Sequence, residues 1–177
     1  VTLPPRYYGS VDATPLWVCL LADAWRAGMP EHEVRALLPT LRRALWWLTQ
    51  RGDSVGGGFV DYLDRSGHGL ANQGWKDSGD SVQWRDGTLA RGPIALCEVQ
   101  AYAYEAALAG AELLDHFRGA ADAAGTPDAP GTPDAPAAAR TADAAGTPDA
   151  AGLRAWAAGL RARFADAFWV STPEGRY

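Results

Sequence analysis

Residues 93–117 read Pro93-Ile94-Ala95-Leu96-Cys97-Glu98-Val99-Gln100-Ala101-Tyr102 and continue as AYEAALAGAELLDHF to Phe117. The stretch predicts one long helix with Pro93 at its first position. Glu98, Gln100 and Glu105 are its few polar members before the last turns. A helix that is apolar nearly all round belongs inside a protein, with neighbours on several sides.

Working outward, residues 13–27 (ATPLWVCLLADAWRA) form a second apolar run of helical length, opened by Asp12 or Thr14 with Pro15 in the first turn and ended by Gly28. Residues 31–50 differ. Val34, Leu37, Leu38, Leu41, Leu45 and Leu48 follow the helical period, and charged residues occupy the other side. Pro39 should bend or divide that helix. Residues 152–169 return to an amphipathic pattern, with Leu153, Trp156, Leu160 and Phe164 on one face and Arg154, Arg161 and Arg163 on the other. Apolar and amphipathic helices alternate, which predicts an all-α protein with an inner and an outer helix layer. Trp46 and Trp47 read as packing between helices.

Between these helices lies a Gly-rich, polar stretch, residues 52–92, with a short strand or turn at 58–62. A long irregular segment in a compact domain is usually functional. Tyr62, Trp75 and Trp84 read as aromatic anchors holding it. Residues 119–151 carry GTPDA three times, at 125–129, 131–135 and 146–150, and five of the 12 prolines. Such a segment builds no core and reads as a flexible insertion.

Composition narrows the function. The 177 residues carry a net charge of −5 and are 47% hydrophobic. With no basic stripe to meet phosphates, nucleic acid and a membrane surface are both disfavoured. No apolar run approaches the roughly 18 residues of a membrane span. Cys19 and Cys97 sit in apolar runs and read as buried free thiols of a reducing, cytoplasmic compartment. His32, His68 and His116 are scattered, so no metal site is expected. Gly52-Asp53-Ser54-Val55-Gly56 matches a nucleophile elbow but follows a helix rather than a strand. Asp77-Ser78-Gly79-Asp80 lacks the ligand spacing of a calcium loop. Val1-Thr2-Leu3-Pro4-Pro5 has neither the basic start nor the apolar stretch of a secretory signal. Without an initiator Met, the sequence reads as beginning inside a longer protein.

The strongest chemical signal is Gly69-Leu70-Ala71-Asn72-Gln73-Gly74-Trp75-Lys76-Asp77-Ser78-Gly79-Asp80-Ser81, which holds the chain's single Asn and single Lys. It sets a carboxylate beside an indole and a cation. Sugar chemistry uses these parts: a ring stacks on the pyranose, amides and charges bond its hydroxyls, and a carboxylic acid protonates the glycosidic oxygen.

Three stretches carry a resemblance: Tyr7-Tyr8-Gly9-Ser10-Val11-Asp12-Ala13-Thr14-Pro15-Leu16, then Asn72-Gln73-Gly74-Trp75-Lys76-Asp77-Ser78, then Gly92-Pro93-Ile94-Ala95-Leu96-Cys97-Glu98-Val99-Gln100-Ala101-Tyr102. With this order and spacing the chain resembles the catalytic domain of bacterial glycogen-debranching, amylo-α-1,6-glucosidase-type glycoside hydrolases. The likeness covers residues 6–118 and 152–177, and the GTPDA segment departs from it. It implies part of an (α/α)6 toroid, a six-hairpin glycosidase fold, with the site at the funnel end of the inner ring. It implies an inverting hydrolase without cofactor, acting on α-1,6 branches of glycogen or maltooligosaccharides. Related α-glycosidases acting on trehalose- or mannosylglycerate-like glycosides, and a non-catalytic carbohydrate-binding helical module, are the alternatives.

The position matching the family's general acid is Asp77, with Asp80 as runner-up. Tyr7, Tyr8 and Asp12 are implied as sugar-ring contacts, Gln73, Trp75 and Lys76 as binding residues of the same loop, and Glu98 and Gln100 as hydroxyl ligands or loop anchors. The acid has to stay protonated near neutral pH, which burial against Trp75 and a nearby Asp80 carboxylate would favour and Lys76 would oppose. Inversion also needs a second carboxylate roughly 6.5–9.5 Å away. On one helical turn Asp77 and Asp80 would stand only about 5–6 Å apart. The resemblance places the base beyond Tyr177, so this chain is expected to need the rest of its own catalytic domain.

Overall fold

A computed structural model of the chain describes residues 10–64, 69–118, 146, 148–173 and 175–176. Among the described residues are four helices: α1 (Ala13–Arg26), α2 (Glu31–Gln50), α3 (Cys97–His116) and α4 (Ala150–Ala167). Near the end, β1 (Ser171–Thr172) pairs antiparallel with β2 (Gly175–Arg176). The protein is predominantly helical, as the periodicity predicts. Tyr7, Tyr8 and most of the GTPDA segment lie outside the described residues.

α1 ends in a Schellman motif. Gly28 adopts φ 103°, where a side chain would strain the backbone, and its N–H bonds Trp25 O at 2.9 Å while Met29 N–H reaches back to Ala24 O at 2.9 Å. α2 then returns antiparallel to α3. His116 Nε2 lies 3.0 Å from Glu31 Oε1 at one end, and Leu45 packs on Gly110 farther along. The stripe Val34, Leu38, Leu41, Leu45 and Leu48 is buried, as the period requires. α3 is the central element, in contact with α1, α2 and α4.

α1 and α3 run parallel. Cys19 Sγ lies 3.9 Å from Tyr102 O, and about two to three turns on Arg26 pairs with Glu112. α4 runs antiparallel to α3: Arg154 bonds Asp115 at 2.7 Å, while Leu160 and Phe164 lie beside Gln100 and Ala101. The N-terminal ends of α1 and α3 therefore share one end of the helical layer.

Several local expectations are corrected. α2 runs unbroken through Pro39. Pro39 and Arg35, whose carbonyl loses its helical partner, both sit on the exposed side of the helix. α3 begins at Cys97 rather than Pro93. The Gly92–Pro93 peptide is cis, and Ile94 is drawn into an antiparallel bridge with Tyr62, N to O 3.0 Å and O to N 3.1 Å. That pairing holds the approach to the helix extended.

α4 begins inside the third GTPDA repeat. Asp149 caps it, accepting from Gly152 N at 2.8 Å, and Ala150 is buried. Cys97 is exposed, because it opens α3 at the surface end, and both thiols are free. Among the described residues no helix is long and apolar enough to cross a membrane.

Candidate functional site

The loop between α2 and α3 is stitched across the shared N-terminal end of α1 and α3. Val11 N, just before α1, donates to Gln73 O at 2.8 Å. Gly74 passes so close to Leu96, the residue before α3, that a Cβ there would fall 2.6 Å from Leu96 Cδ1. The N-terminal ends of two helices, the positive ends of their dipoles, lie at this loop.

Asn72 organises it. The side chain is 3% exposed. Its Oδ1 accepts from Tyr62 Oη at 2.9 Å, and its Nδ2 donates to Ser78 O at 2.6 Å and Ser81 Oγ at 3.1 Å. Ser81 Oγ in turn donates toward Lys76 O and Ser78 O, each at 2.7 Å. The backbone around Trp75, Lys76, Asp77 and Asp80 is thus pinned from within, and those four side chains face solvent. Burial raises the affinity of the Tyr62 phenol for its proton, as does the carboxylate of nearby Glu98.

A second anchor is Gln100, 1% exposed on the first turn of α3. Its Oε1 accepts from Val60 N at 2.9 Å, and its Nε2 donates to Val60 O at 2.8 Å and Leu96 O at 2.9 Å. All its polar atoms are spent on backbone, so it holds the start of the loop. Glu98 stands at the same end, with Cys97 Sγ 3.3 Å from its Oε2. Asp12 is buried before α1, and its Oδ1 accepts from Ser10 Oγ.

The earlier half of the loop is built on two carboxylates. Asp53 accepts four backbone N–H groups, from Val55, Gly56 and Gly57 on Oδ1 and from Gly58 on Oδ2, at 2.7–3.3 Å. Burial pushes its carboxyl up, but these four bonds outweigh it and hold it below the usual carboxylate range. Asp61 is 9% exposed; its Oδ2 accepts from Ser54 N at 3.1 Å, and its Oδ1 has no partner among the described residues. Ser54 is exposed in this turn, and no strand-to-helix elbow forms around it.

The structure brings Asp12, Gln73, Glu98 and Gln100 to one end of the helical layer, with Trp75, Lys76, Asp77 and Asp80 on the outer surface of the loop above it. Trp75 is 84% exposed and Trp84 68% exposed, so neither anchors the loop. Tyr62 does, from below, through Asn72. An indole that open to water covers little of any neighbour, and the burial expected for Asp77 is not supplied by Trp75. The structural roles of Asn72, Asp53 and Asp61 are what motif reading passes over; the one available signal was that Asn72 is the chain's single Asn. Among the described residues no group of three or more His, Cys, Asp or Glu is placed to hold a metal ion. Comparison with protein-family models, curated proteins and solved structures gave no match.

Proposed function

We propose that the chain forms part of a glycoside hydrolase of the glycogen-debranching type, acting on α-glucosidic, α-1,6 linkages in glycogen-like oligosaccharides. The observation that carries this reading is the rigid 69–83 loop, which presents an indole, an ammonium and two carboxylates to solvent over the N-terminal ends of two parallel helices. Trp75 is the stacking face for a pyranose ring. Lys76 and Gln73 bond its hydroxyls. Asp77 is the proton donor to the leaving oxygen, and Asp80 stands second for that role. Each of the first two helices in the proposed arrangement, α1 and α3, lies beside the other and is followed by an antiparallel partner. This supports a hairpin-based (α/α)6 toroid; the proposed substrate is a cytoplasmic glucan.

In the longer enzyme that also supplies the general base, Asp77→Asn should cut kcat on a branched maltooligosaccharide by at least about 10²-fold, the low end of acid–base contributions, with KM little changed. A near-normal rate moves the role to Asp80. The exposure of Asp77 and Trp75 favours one second reading, a carbohydrate-binding module without catalysis. That reading is selected if the chain joined to the rest of its catalytic domain binds maltoheptaose without turning it over. Absence of both binding and hydrolysis overturns both readings.

A further inference from the structure

Trp84 is the largest apolar side chain that neither the fold nor the 69–83 loop uses. It stands at the first corner of a tight hairpin spanning residues 82–90. Trp84 N donates to Thr88 O at 2.8 Å, Gly87 N to Trp84 O at 2.9 Å and Ala90 N to Val82 O at 2.9 Å, and Gln83 bridges Leu89. Asp86 Oδ1 fixes the corner further by accepting Thr88 N at 2.9 Å. The carrier is therefore stiff while the ring packs on little.

The hairpin is also tied to the candidate sugar loop. Gln83 Nε2 donates to Asp80 O at 2.6 Å, and Ser81 Oγ lies 2.7 Å from Lys76 O, the neighbour of Trp75. Trp84 follows Ser81 by three residues, so its Cα lies at most about 10 Å from that junction. The ring is flanked by Gln83, Arg85 and Asp86, all exposed. Arg85 makes no side-chain hydrogen bond or ion pair among the described residues.

We propose that Trp84 is a second stacking platform, for a sugar ring remote from the one on Trp75, and that it sets a preference for longer α-glucan chains. The inference rests on the reading of the 69–83 loop as a sugar site. A stiffly held, exposed indole with Gln83, Arg85 and Asp86 as chain neighbours and the exposed Leu89 across the hairpin suits a pyranose, whose apolar C–H face is edged by hydroxyls. A protein partner would call for a contiguous apolar patch. A nucleic acid would call for basic surroundings, and the chain carries a net charge of −5.

The test is calorimetric titration of the full chain with maltose and with maltoheptaose. Trp84→Ala should weaken maltoheptaose binding roughly 3- to 10-fold, the scale of one aromatic contact, and leave maltose within about twofold. Trp84→Phe should restore most of the loss. Unchanged maltoheptaose affinity in Trp84→Ala, or equal losses for both sugars, overturns the proposal. If Trp75→Ala abolishes binding while Trp84→Ala does not alter it, the sugar-site reading stands and this inference falls. A wild-type chain that binds neither sugar overturns both. Should Trp84→Ala melt at a lower temperature, acrylamide quenching of the wild-type chain decides instead. Maltoheptaose has to shield more indole fluorescence than maltose does, and equal shielding sinks the proposal. Loss of self-association in Trp84→Ala without any change in sugar affinity would assign the ring to a protein contact and overturn it as well.

Discussion

Gln100 offers the sharpest test of how the loop is held. Its side chain makes three bonds to backbone at 2.8–2.9 Å in a fully buried position. Gln100→Leu keeps most of the volume and deletes all three, leaving Val60 N, Val60 O and Leu96 O without that partner. At about 1 kcal/mol for each bond, the loss is about 3 kcal/mol. For a domain of this size that lowers Tm by roughly 6–12 °C. Gln100→Glu is the more telling variant. Its carboxylate still accepts from Val60 N, but its second oxygen faces two carbonyl oxygens. The charged form is disfavoured in the fold, so the folded pKa lies above the unfolded value of about 4.3. The folded state then binds more protons than the unfolded one, and stability falls as pH rises through the interval between those two values. Gln100→Glu should therefore approach wild type near pH 4.5 and fall well below it at pH 7.5, as read by urea unfolding followed by circular dichroism. A deficit that stays the same at both pH values, or a Gln100→Leu chain within about 0.5 kcal/mol of wild type, would refute the anchoring role.

Three further outcomes follow from packing and ionisation. Gly110→Ala gains about 1 kcal/mol of helix propensity. Its Cβ would meet Leu45 Cδ2 at 2.6 Å in a fully buried site, and overpacking costs about 1–3 kcal/mol, so urea unfolding should show a net loss. In a Leu45→Ala background the same change should stabilise; a loss there too would contradict the packing account. Asp53 has a depressed carboxyl pKa, so the stability advantage of wild type over Asp53→Ala should be level above about pH 4 and shrink as pH falls through the folded value. An advantage that grows on acidification would mean the four N–H bonds do not favour the charged form. Burial, with Glu105 and Asp23 adding to it, pushes the Cys19 thiol up to about 11, whereas Cys97 is exposed. At pH 8 a disulfide reagent should label Cys97 first, and Cys97→Ser should remove the fast phase; a fast phase that survives would place Cys19 at the surface.

What was legible in the sequence followed local physics. The spacing of Val34, Leu38, Leu41, Leu45 and Leu48 sets the face of α2 whatever it packs against, and the limits of α2 match the pattern. The near-uniform apolarity of α3 foretold its central place. The errors arise where a distant partner decides. Residues 93–96 satisfy helix rules locally, yet Tyr62, more than thirty residues away, takes Ile94 into a bridge. Pro39 breaks helices in general, but it lies on the exposed face of a helix whose other side is held by the buried Val34–Leu48 stripe. The third GTPDA copy looks like the other two in sequence, yet its Asp149 caps α4.

The loop inverts the usual division of labour between aromatic and polar residues. In an ordinary loop the indoles pack inward and the amides face water. Here Asn72 is 3% exposed and Trp75 is 84% exposed. A buried amide can satisfy several directional partners at once, as Asn72 does with Tyr62, Ser78 and Ser81, and so fixes a backbone path without needing bulk. An indole left outside gains nothing for the fold and keeps a large apolar face open to solvent. Holding the backbone by polar bonds from beneath leaves the ring, the ammonium and the carboxylates above open to solvent rather than committed to the core. That arrangement keeps the loop ordered at little cost to its chemistry. It is also the reason residue type alone misassigned the anchors: bulk pointed to Trp75 and Trp84, whereas hydrogen-bonding capacity pointed to Asn72 and Gln100.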